Sequence, residues 1–134
     1  MKKKLITLMA LVIAAPALAQ NASEYLSKVF NSAGVSGTQG TGFVKSTRIS
    51  CAELNFSVGK SVIQFPVRAV NIAVLPNGGI RFDCINGGGC ITGLYDHGVN
   101  YAFLNGFTSE IEKSIINAFG AFQDSCGGKD PRPF

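Results

Sequence analysis

After the first nineteen residues, no apolar run approaches the roughly 20 residues that a membrane-spanning helix needs, so no transmembrane segment is expected in the rest of the chain. A basic stripe with interleaved aromatics is also missing: Arg48, Lys60, Arg68 and Arg81 are scattered, which argues against nucleic acid as a partner. There is no C-x2-C pair, since the closest cysteines, Cys84 and Cys90, have five residues between them. That spacing disfavours structural zinc. The glycine run 87–89 is not followed by Lys-Ser/Thr, which sets aside a phosphate-cradling loop and leaves a hairpin loop. Neither paired carboxylates nor an activated nucleophile stands out, so no metal, no cofactor and no catalytic residue is expected.

What is present begins at the N-terminus. Lys2, Lys3 and Lys4 precede an apolar run from Leu5 to Pro16, and Ala17-Leu18-Ala19 places small residues where a signal peptidase reads them. Residues 1–19 are therefore predicted to be a cleaved secretory signal, with Gln20 as the first mature residue. Gln20 is not a cysteine, so a lipoprotein is not expected. The segment carries three of the 12 basic residues and none of the 8 acidic ones, which leaves the mature chain at +1. The high overall pI of about 9.0 thus owes much to the signal. Periplasmic or secreted localisation follows as the expectation.

Four cysteines, Cys51, Cys84, Cys90 and Cys126, all lie beyond the cleavage point. An even number in an exported chain implies two disulfides. Cys84 with Cys90 and Cys51 with Cys126 is the favoured pairing, because the first two can face each other across a hairpin and Cys126 lies on the apolar stripe of a helix. Cys84 with Cys126, leaving Cys51 to Cys90, remains open.

Residues 20–42 read as a short helix and a flexible connector: Tyr25, Leu26, Val29 and Phe30 recur at helical spacing before the SGTQGTG stretch. Residues 43–128 read as an antiparallel β domain with a C-terminal helix, and 129–134 as a frayed tail. Strands are predicted over 43–50, 52–58, 61–66, 69–75, 79–85, 90–95 and 99–104, with Pro66 marking a break or an edge. The hairpin at Pro76-Asn77-Gly78-Gly79 is the strongest local signal. In the register that pairs Cys84 with Cys90, Phe82 faces Thr92 and Ile80 faces Leu94. The last helix is predicted from Glu110 to Cys126, with Ser109 and Glu112 as a capping box and Gly120 placed for close approach to a strand.

Seven antiparallel strands closed by one amphipathic C-terminal helix resemble the pleckstrin-homology-like barrel, which implies an α+β fold with the helix plugging a small barrel or bent antiparallel sheet. RFDCINGGGCI and IEKSIINAFGAFQDSCGGKDPRPF resemble segments of small exported bacterial proteins of unknown role, across residues 43–134. The resemblance carries no catalytic residues. A sheet of five or six strands with helices on one face is the competing architecture.

His97 is the one histidine, flanked by Asp96 and Gly98 in an expected loop. Adjacent residues do not generally face each other as a base and its orienting carboxylate, so a loop role is expected. Asn21-Ala22-Ser23 and Asn55-Phe56-Ser57 match the glycosylation sequon. Three functions remain: a non-enzymatic binding module for a protein, peptide or small ligand outside the cytoplasm; an inhibitor or immunity-type protein acting through the braced turn 84–90; and an enzyme assembled around His97. A protruding loop favours inhibition, and a deep pocket holding His97 favours catalysis.

Overall fold

The computed structural model describes residues 21–32, 34–37 and 42–130. The predicted signal with Gln20, connector residues 38–41 and tail residues 131–134 lie outside the described residues.

Helix α1 spans 21–30 and buries Ala22, Leu26, Val29 and Phe30 while Glu24 and Lys28 face outward. Strands β1 (Val44–Ile49), β2 (Leu54–Val58) and β3 (Ser61–Phe65) form one antiparallel sheet. A second sheet contains β4 (Val70–Val74), β5 (Ile80–Cys84) and β6 (Tyr101–Leu104), and helix α2 (Ser109–Ser125) follows. Strict alternation builds the inner faces: Leu54, Phe56 and Val58 in β2, Ile63 and Phe65 in β3, and Ile80, Phe82 and Cys84 in β5 are all buried. Pro66 breaks the chain between the sheets. It has no N–H for a ladder, and the Val67–Ala69 3-10 turn after it redirects the chain into β4.

Phe82 is the centre of the core. Its ring meets Phe65 at 4.8 Å, Phe119 at 5.6 Å, Phe56 at 6.0 Å and Phe30 at 6.5 Å between centroids, joining both sheets and both helices. Helix α1 is thus part of the main core, and docking overcomes the marginal stability of so short a helix. Asn31 adds a polar clasp: its Oδ1 accepts from Thr47 N at 2.7 Å and its Nδ2 donates to Thr47 O at 3.2 Å, covering an edge position of β1.

The antiparallel α+β class stands, with three corrections of detail. The described strands number six, in two separate three-stranded sheets rather than one closed barrel. Residues 90–95 are not a strand: Ile91 bridges Val99 and Thr92 bridges Gln64, because the chain here crosses between the sheets instead of running along one. The neighbour of β5 is therefore β6, with Ile80 opposite Leu104 and Phe82 opposite Ala102, not Leu94 and Thr92.

Helix α2 also departs from expectation at its start. Thr108 is the N-cap, its hydroxyl accepting from Ile111 N at 3.3 Å, so Ser109 and Glu112 form no capping box. Glu112 turns inward, is 3% exposed, and accepts from Gly79 N at the β4–β5 turn. Ile115, Phe119 and Phe122 form the buried stripe with Glu112 and Gln123, while Ile111 is 36% exposed. Gln123 Nε2 donates to Val67 O at 2.9 Å and Val70 O at 2.8 Å. Gly120 makes no close approach; a Cβ built there would meet nothing within 4 Å.

Cys51 is bonded to Cys126 with Cα atoms 5.3 Å apart, tying the β1–β2 turn to the end of α2. Beyond it the chain is held rather than frayed as far as Asp130. Arg68 donates to Gly128 O at 2.8 Å and Gly127 O at 3.2 Å, and Asp130 N donates to Arg68 O.

Candidate functional site

The residues with functional interest converge on the segment between β5 and β6. It forms two linked loops, one closed by the Cys84–Cys90 bond with Cα atoms 5.9 Å apart, the other spanning residues 92–98. Between them Ile91 is fully buried and pairs with Val99 through two backbone hydrogen bonds of 3.1 and 2.8 Å. Thr92 and Gln64 exchange two more at 2.9 Å, which ties the second loop to β3. The neck is therefore anchored to both sheets.

Glycine allows the loops to touch each other and the sheet. A Cβ on Gly98 would lie 2.0 Å from the carbonyl oxygen of Gly89, and one on Gly93 would lie 1.8 Å from that of Val62. Only hydrogen fits at either place. Gly89 N also donates to Asn100 Oδ1 at 2.8 Å, locking the disulfide loop onto the approach to β6. Gly87–Gly89 thus belong to a pinned loop.

On this frame stand Tyr95, Asp96 and His97. Tyr95 is 54% exposed, and its ring stacks on the His97 imidazole with centroids 5.6 Å apart and planes 13° from parallel. His97 Nδ1 lies 2.9 Å from Asp96 Oδ1. The adjacent carboxylate does face the imidazole, contrary to expectation, because the bent loop brings neighbouring side chains to one side. The pair stands in water, with the side chains 71% and 98% exposed. Solvent screens such a contact strongly, so it contributes little to stability.

The other sequence-derived positions fall elsewhere. Asn55 lies within β2 with its Nδ2 donating to Glu53 Oε1 at 3.3 Å, and Asn21 opens the described part of α1. Sequence reasoning missed Tyr95 and Asn100: assigning 90–95 to a strand made Tyr95 a strand residue and hid its place beside His97. The signal available was the flanking of Leu-Tyr-Asp-His by Gly93 and Gly98.

Among the described residues, no helix is long and apolar enough to cross a membrane, and no group of three or more His, Cys, Asp or Glu is placed to hold a metal ion. Comparison with protein-family models, with curated proteins and with solved structures found no match to this chain.

Proposed function

We propose that the mature chain is an exported, non-enzymatic binding protein that presents the 92–98 loop, with Tyr95 and His97 at its tip, to a protein partner outside the cytoplasm. The observation that carries this reading is an exposed aromatic stack on a loop whose neck is fixed by a disulfide, two strand bridges and glycine contacts. Exposed Tyr on a rigid support suits a binding anchor, since little ordering entropy is lost when the partner docks. Two disulfides are compatible with an oxidising compartment, which supports export.

The disulfide-closed turn 84–90, the expected inhibitory loop, is pinned against Gly98 and Asn100, so the narrower reading of an inhibitor of an exported hydrolase moves to the adjoining 92–98 loop, inserted as a preformed wedge. Placing the photo-crosslinking residue p-benzoylphenylalanine at position 95 and irradiating in envelope extract tests both. A discrete protein adduct at position 95, absent when the residue sits at exposed Lys60, supports binding through the loop, and a hydrolase in that adduct supports inhibition. Adducts equal at both positions, or none, would remove the loop from the function.

A further inference from the structure

We infer that the free edge of β4 is a second binding site, taking an extended, acidic peptide segment of a partner as an added strand. The site shares no residue with the 92–98 loop. Its geometry follows from the register. Leu75 N donates to Gly79 O and Ile85 N to Ala69 O, and the pairs between them run Val70–Cys84 to Val74–Ile80. Odd-numbered residues of β4 therefore bond to β5, whereas the N–H and C=O groups of Val70, Ile72 and Val74 point away from the sheet. The outward carbonyl of Val70 is taken by Gln123 Nε2 at 2.8 Å. At Val74 the edge opens into a groove of about 420 Å³ lined by Ala73 and Val74 from β4 and by Lys113, Ile116 and Asn117 from α2.

An open edge beside an apolar groove is the setting for strand addition, in which backbone bonds hold a peptide and side-chain pockets select it. Val74, 41% exposed, and Ile116 offer apolar contact. Lys113 is the one charged residue of the lining, so a carboxylate is the complementary group. The same lysine disfavours a second copy of this chain. Pairing β4 with itself through Ile72 and Val74 puts the two-fold axis at Ala73, which brings each Lys113 toward the other.

Amide exchange measured by NMR on the mature protein decides the matter, with acetyl-Val-Thr-Glu-Thr-Val-amide as probe and its Glu-to-Lys counterpart as control. At about 1 mM of the glutamate peptide, exchange at Ile72 and Val74 should slow about tenfold while Ala73, already bonded to β5, stays unchanged. The lysine peptide should act more weakly, and Lys113→Glu should reverse the preference. No slowing at Ile72 and Val74 would overturn the proposal, as would equal slowing by both peptides. Slowing with protein concentration alone would assign the edge to self-association and overturn it too.

Discussion

At the scale of single residues, glycine and buried polar groups separate positions that the sequence presents as equivalent. Gly120 stands in a helix with open space where a Cβ would go, so Gly120→Ala should stabilise the protein by about 0.5 to 1 kcal/mol, read as a rise in the chemical-denaturation midpoint. Gly93 has φ +101° and no room beside Val62 O, so Gly93→Ala should destabilise in the same assay. Glu112→Ala should cost about 1 to 3 kcal/mol, because it strips the buried Gly79 N–H of its acceptor. Nothing local distinguishes these cases. Glu112 sits where a capping glutamate belongs, and its partner is 33 residues away in the chain, so only the folded arrangement reveals it. His97 is a different case. Its loop position was legible, but its stack with Tyr95 was not, since that depends on a bend that replaces the expected strand.

At the scale of elements, the legible parts are those determined by chemistry within a few residues. The Pro76-Asn77-Gly78-Gly79 turn joins β4 to β5 as expected, because its residues tolerate the required backbone by themselves. Strand 90–95 failed for the opposite reason: its apolar texture reflects one buried neck residue, Ile91, and a crossing between sheets that no local pattern encodes. The two disulfides differ in what they constrain. Cys84–Cys90 closes a span of 6 residues and Cys51–Cys126 one of 75. Loop entropy assigns about 2 kcal/mol to the short bond and about 4.5 kcal/mol to the long one. Denaturation of the paired serine variants, Cys84→Ser/Cys90→Ser and Cys51→Ser/Cys126→Ser, should show the larger loss in the second. Equal losses would mean that the loop around Gly87–Gly89 supports more of the fold than its neck contacts suggest.

At the scale of the whole molecule, a phenylalanine core centred on Phe82 holds two small sheets together and leaves the crossing segment between them to carry an exposed aromatic tip. Phe82→Ala should cost about 3 to 5 kcal/mol and unfold the loop support with the core, seen as joint loss of near-ultraviolet signal and partner capture. Export is tested by N-terminal sequencing of the mature protein, which should begin at Gln20. The most direct measurement of the binding proposal is the affinity of the partner captured at position 95 for wild type, Tyr95→Ala, His97→Ala and Cys84→Ser/Cys90→Ser, each shown to be folded. Tyr95→Ala should weaken binding at least about tenfold by loss of the anchor, and the serine pair by a similar factor through loss of pre-organisation. His97→Ala should cost only a few-fold. Affinity unchanged in both Tyr95→Ala and the serine pair would contradict a binding loop, and a thousandfold loss of biological effect in His97→Ala alone would point to catalysis instead.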